Sequence, residues 1–172
     1  KLVPLTGIDG QPLQSKKMAD AEALATMPTG EFIVSFERKH RFLRYLPGQR
    51  KPLLLEAPSG LKKLSKNSGV EALTFLNDGR LLALSEGRDK ASRAKGWLRD
   101  ASGWSSLRYR LSDGFRPTGA ATHPNGDVYV LERFYSLLQG VAVRIGRLNE
   151  GEIKAGAELR AIPVAEIRPP LN

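Results

Sequence analysis

A chain of 172 residues with 41% apolar and 26% charged residues lies in the range of one globular domain able to bury an ordinary core, and it has no run of about 18 apolar residues of the kind a membrane helix requires. The absence of cysteine excludes disulfides, thiolate catalysis and cysteine-ligated zinc, and it fits export. A net charge of +9 favours polyanions such as phosphorylated small molecules, nucleic acid or an anionic membrane surface, against the plainer reading of a solvated basic surface.

Lys1 opens directly onto a polar, strand-like stretch with no targeting segment, so a leader is expected to have been removed or never present. Residues 1–13 read as the outer strand of a preceding unit. Glu22 to Gly30 then forms a strand and a turn, followed by the apolar run Phe32 to Phe36 closing on Glu37. Arg41 to Leu46, the turn at Pro47-Gly48 and Pro52 to Leu55 make a second hairpin. Residues 61–67 are the best helical candidate, but they read as a connecting loop. Glu71 to Gly79 and Leu81 to Glu86 repeat the first hairpin, and Gly96 to Leu98 with Leu107 to Leu111, around Gly103, repeat the second. Thr118 to Gly126 and Val128 to Glu132 open a third copy, completed by Val141 to Leu148 and a turn at Asn149 to Gly151.

The second copy begins 49 residues after the first, and the third 47 after that. Four short strands per unit at this period, with hairpin turns closing on Gly30, Gly79 and Gly126, mark the blades of a β-propeller. The sequence therefore predicts an all-β fold of three four-stranded blades, over about 20–65, 69–112 and 116–163. Since propellers have four to eight blades, the three belong to a larger ring of about six, completed by further residues or a second chain. A fourth inner strand is due near 170–176.

Register puts the acids at the open end of each hairpin, on one rim of the ring. Glu22 and Glu71, with Asp20 close by, form a candidate site for Ca²⁺, which takes several oxygen ligands from different loops. The competing reading is that these acids cap turns or pair with Arg and Lys. Arg38, Arg41, Arg116 and Arg133 fall at the same end and suit bidentate contact with phosphate. His40 is a candidate general acid or base, and Glu37 is a second candidate catalytic residue; His40 reads equally as a phosphate donor or an exposed loop residue. His123 lies at the opposite end of its hairpin and reads as structural. Trp97, Trp104 and Tyr109 read as blade-packing residues. No Walker loop, dinucleotide fingerprint, paired-His zinc motif or nucleophile elbow is present, and the basic excess lacks the interleaved aromatics of a single-strand channel, so nucleic acid is not expected.

Asp20-Ala-Glu-Ala-Leu24, Val34-Ser-Phe-Glu-Arg38 with His40-Arg41, Gly69-Val-Glu-Ala-Leu73, Asp78 to Glu86, Phe115 to Ala121 and Leu131-Glu-Arg133 together resemble the phytase-like esterase domain family of bacterial propeller proteins. The resemblance runs along essentially the whole chain. It implies a relation to phosphate-ester hydrolases, a calcium dependence, a phosphorylated small-molecule substrate and a periplasmic or secreted location. Set against that resemblance, this stretch is expected to lack the counterpart of the family's first blade and of the acid-bearing strand that follows in members. The alternative to an enzyme is a non-catalytic propeller that binds an anionic ligand or a protein partner through the same face.

Overall fold

The computed structural model describes residues 3–168. Three antiparallel sheets follow one another along the chain. The first contains β1 (Ala21–Thr26), β2 (Phe32–Phe36), β3 (Arg41–Tyr45) and β4 (Leu53–Leu54) in that order. The second contains β5 (Val70–Phe75), β6 (Leu81–Ser85), β7 (Arg93–Asp100) and β8 (Gly103–Arg110). The third contains β9 (Arg116–Thr122), β10 (Val128–Ser136), β11 (Gly140–Leu148) and, at its edge, β13 (Ile162–Ile167). These are consecutive propeller blades whose inner strands β1, β5 and β9 run side by side. The inner hairpins turn on Gly30 and Gly79, both at φ +85°, and Gly126 at φ +94°, a region that side chains with a Cβ adopt at a cost.

Blade stacking builds the core. Ile33 and Phe42 of the first blade meet Leu81, Ala83 and Trp97 of the second. Leu82, Leu84, Leu98 and Tyr109, on the other face of the second blade, meet Val128, Val130 and Leu148 of the third. Alternate residues of β6 thus face different neighbours, which is why Leu81 to Ser85 is buried throughout and reads as a continuous apolar run. Trp97 and Tyr109 are fully buried, and Trp104 stacks on Phe42. The third blade turns Leu131 and Ile145 outward and exposed, although the second-blade counterpart of Leu131, Leu84, is wholly covered.

Two segments depart from the strand pattern of the sequence. Residues 3–15 form no strand beyond a single bridge between Thr6 and Pro12. Pro4 and Pro12 remove ladder donors and Gly7 and Gly10 bend the chain, so this segment folds over the first blade instead of pairing. Leu5 and Leu13 cover Val34, Phe36, Leu43 and Tyr45, and the Tyr45 hydroxyl donates to the Thr6 carbonyl at 2.8 Å. A one-turn helix, α1 (Lys16–Ala19), leads into β1. The second departure is β12 (Glu158–Leu159), which leaves the third blade and pairs parallel to β8, giving the second sheet a fifth strand. Glu158 is held there by Arg110 at 2.8 Å and Arg93 at 3.6 Å. The chain then returns to form β13, so the third blade runs past residue 163 to Ile167. The fourth inner strand expected near 170–176 lies outside the described residues.

Candidate functional site

Each inner strand carries one extra residue at the same place. Ala21 pairs with Phe36 and Ala23 with Ser35, leaving Glu22 in a β-bulge. Val70 pairs with Ser85 and Ala72 with Leu84, leaving Glu71. Pro117 pairs with Glu132 and Gly119 with Leu131, leaving Thr118. A bulge re-aims the side chain it carries and is frequent beside functional sites. The residue that follows the second inner strand is tied back across the bulge: the Glu37 amide donates to the Asp20 carbonyl at 2.8 Å and the Glu86 amide to the Gly69 carbonyl at 3.1 Å. In the third blade the corresponding pair is Arg133 with Arg116.

Equivalent positions therefore read Asp20, Glu22 and Glu37 in the first blade, Gly69, Glu71 and Glu86 in the second, and Arg116, Thr118 and Arg133 in the third. The rim changes along the chain from carboxylate to guanidinium. The sequence places Glu132 in this series, but the register moves the assignment by one residue. Because a one-residue step turns a side chain to the other face, Glu132 points into the blade interface, where it is 2% exposed and accepts from the Tyr109 hydroxyl at 3.0 Å. The signal was present in the spacing: Glu37, Glu86 and Arg133 all lie seven residues after the turn glycine, whereas Glu132 lies six after it.

The carboxylates form two linked pairs. Glu22 hydrogen-bonds Glu37, and burial, then that bond and the Glu37 charge, with smaller contributions from Asp20 and Glu86, raise its pKa from 4.5 to about 7. Glu71 is likewise raised to about 7, first by burial and then by the charge and hydrogen bond of Glu86, with Glu22 adding to the repulsion and Arg133 opposing it. Neither Glu22 nor Glu71 is in an ion pair among the described residues. Gly69 packs against the first pair: a Cβ added there would lie 3.3 Å from Glu22 Cγ and from Glu37 Cβ. Asp20, Glu22 and Glu37 each offer a carboxylate oxygen within 4.8 Å of the others. Glu71 stands with Glu86 in the neighbouring pair rather than in this group.

The basic residues are placed less uniformly. Arg38, at φ +56°, is ion-paired with Asp20. The Arg41 guanidinium lies 4.1 Å over the Phe36 ring and donates to the carbonyls of Met18 and Lys39. Arg116 donates to the Glu86 carbonyl at 3.1 Å. Arg133 is exposed and beside Glu71. His40 has its Nε2 3.0 Å from the Ser65 carbonyl and lines a separate cavity with Arg41, Leu54 and Lys62. Glu37 faces Glu22 instead, so the two candidate catalytic residues stand in different surroundings. His123 hydrogen-bonds Asn125 at the far end of its hairpin.

One hydroxyl braces the first bulge. Ser35, 1% exposed, accepts from the Ala23 amide at 3.0 Å and donates to the Val70 carbonyl of the next blade at 2.7 Å. Ser35→Ala removes the partner of the half-buried Ala23 amide and of the buried Val70 carbonyl and is expected to cost about 1–3 kcal/mol, measured by urea denaturation.

Residues 1–171 match the sequence profile of the family described as phytase-like, esterase-like activity of phytase. The chain belongs to this family. No protein of curated function matches the sequence. Among solved structures, the phytase-like chain is similar to a protein of unknown function from Dyadobacter fermentans, at 13% identity and a TM-score of 0.53, over 87% of this chain and 41% of that one. It also matches a protein of unknown function from Bacteroides caccae, at 13% identity and a TM-score of 0.43, over 86% of this chain and 60% of that one. A third match is virginiamycin B lyase from Staphylococcus aureus, at 14% identity and a TM-score of 0.43, over 84% of this chain and 56% of that one. The chain thus spans about two fifths to three fifths of the length of these proteins. Among the described residues, no helix is long and apolar enough to cross a membrane.

Proposed function

We propose that this phytase-like domain is part of an exported, divalent-cation-dependent phosphoric ester hydrolase whose site is the rim of the inner hairpins. The observation that carries the reading is the change of chemistry at equivalent positions, from Asp20, Glu22 and Glu37, through Glu71 and Glu86, to Arg116 and Arg133. Carboxylates that gather a hard cation beside arginines that accept an oxyanion are the two halves of phosphate-ester recognition.

The donor set fits the cation. Asp20, Glu22 and Glu37 supply oxygen atoms only, from two strand ends, and are close enough to share one ion. Calcium takes such all-oxygen sets, whereas softer metals prefer imidazole or thiolate. Bound there, a divalent cation neutralises phosphate charge and acidifies water. Arg133 and Arg116 bind the phosphate oxygens. Arg38 holds the Asp20 carboxylate in position, and Arg41 fixes the approach to β1 through the Met18 carbonyl. The Glu71 and Glu86 pair stands between the cation group and the arginines, able to hold a proton at neutral pH. The substrate class is a small phosphorylated molecule.

The test is hydrolysis of a generic phosphomonoester and of phytate, with Ca²⁺ and then with chelator, by the full-length protein. Turnover with Ca²⁺ that is lost on chelation, and that falls about 100-fold or more in Glu37→Gln, is expected. Absence of turnover with any divalent metal would overturn the reading.

A further inference from the structure

A second charged feature lies beside the rim and is not used by it. The loop after the first blade makes a single turn of 3₁₀ helix, Leu61–Lys63, and continues to Ser68, against the loop that leaves β6 at Gly87. Between them is a cleft of about 210 Å³ lined by Lys63, Arg88, Arg93 and Lys95, with Ser65 and Ser68. Four cations meet one carboxylate there, that of Asp89. Asp89 is already engaged: it accepts from the amides of Ala91 and Arg93, both at 2.9 Å, and from Arg93 Nε at 3.1 Å. Arg93 is further engaged by Glu158. Lys63, Arg88 and Lys95, together with the hydroxyls of Ser65 and Ser68, have no ion-pair or hydrogen-bond partner among the described residues.

Unpaired cations of like sign repel each other across a shared cavity, and an anion between them removes that cost. The size of the cavity selects among anions. It falls below the roughly 300 Å³ at which sites for drug-sized ligands begin, so it suits one compact group. No aromatic side chain lines it, and a polynucleotide site would require stacking surfaces. Hydroxyl donors beside Arg and Lys are the usual partners of a tetrahedral oxyanion.

We propose that this cleft binds the phosphate group of a small phosphorylated molecule, without a metal ion and through Lys63, Arg88 and Lys95. The cleft adjoins the carboxylate rim, since Gly87 follows Glu86, and Ser68 precedes the Gly69 that packs on Glu22 and Glu37. Arg88 also lines a small hollow with Arg116, joining the two regions. The proposal stands on the cleft alone and holds whether or not the rim hydrolyses an ester.

Calorimetric titration of the metal-free protein in chelator tests it, with inorganic phosphate in one arm and glycerol 2-phosphate in the other. Saturable one-to-one binding is expected, weakened about tenfold or more in Arg88→Ala and in Lys63→Ala, as the loss of one charge-assisted contact implies. Lys90→Ala removes the same charge from the same loop but not from the cleft, and is expected to bind within twofold of the native protein. Circular dichroism melts verify that each variant is folded. Tighter binding of the ester identifies a phosphorylated substrate or effector, and tighter binding of inorganic phosphate identifies the free ion. Absence of saturable binding in both arms, or equal weakening in all three variants, would overturn the proposal. Because no turnover is read, this outcome is separate from the fate of the hydrolase reading.

Discussion

Arg144→Ala is expected to lower the stability of the fold by about 1.5–3 kcal/mol, the cost of losing charge-assisted hydrogen bonds from a covered guanidinium. Arg144 lies on β11 with its side chain only 7% exposed. Its Nε donates to Glu166 of β13 at 2.8 Å, and its two terminal nitrogens donate to Ser112 at 2.7 Å and Asp113 at 3.0 Å. The guanidinium also lies 3.9 Å over the Phe115 ring. One side chain therefore fastens the edge strand of the third blade to the linker from the second. Asp113 accepts at φ +54°, a backbone state that this contact helps to hold. Arg144→Lys keeps the charge but loses the planar fork, so it recovers only part of the loss. Guanidinium denaturation reads both variants. A change below about 1 kcal/mol in Arg144→Ala would show that the network is dispensable.

The second large effect is on the pH dependence of stability. The folded-state pKa of Glu22 and that of Glu71 are raised from 4.5 to about 7, so the native state binds more protons than the unfolded chain between these values. Stability contributed by the protonated pairs is full below about pH 4.5 and is lost as pH rises toward 7 and beyond. Glu132, raised first by burial, acts in the same direction. Asp78 and Glu166 have lowered pKa values and act in the acid range, outside this window. In chelator, the melting temperature is expected to fall between pH 5 and pH 8. Millimolar Ca²⁺ is expected to restore it at pH 8 and to have little effect at pH 5, where protons occupy the carboxylates. Melting curves that are flat in pH and indifferent to Ca²⁺ would contradict the account of paired carboxylates.

Much of this fold can be read without coordinates. The turns at Gly30, Gly79 and Gly126 and the apolar runs after them fix three blades, because turn chemistry and strand period are local properties. The positions of Glu22 and Glu71 on one rim follow from the same register. The third rim position was less legible, since Glu132 and Arg133 are both charged and only the seven-residue spacing from the turn glycine separates them. That one step decides whether the third blade brings a carboxylate or a guanidinium to the rim. The engagement of Arg38 by Asp20, and of Arg41 by Phe36 and Met18, depends on how α1 enters β1, and no periodic signal announces that geometry. The strand β12 was hidden for a related reason, because two residues pairing with another blade carry no pattern of their own. The basic cleft joins residues about 25 positions apart, and its first lysine, Lys63, lies in a segment whose composition reads as a loop.

The central claim is that the carboxylates of the first blade exchange a shared proton for a cation. Calorimetric titration of the native protein with Ca²⁺ at pH 7, repeated in buffers of different ionisation enthalpy, tests this most directly. Saturable binding with release of about one proton per ion, abolished in Glu22→Gln, is the predicted result. Absence of saturable binding, or binding that releases no proton and survives the substitution, would contradict it.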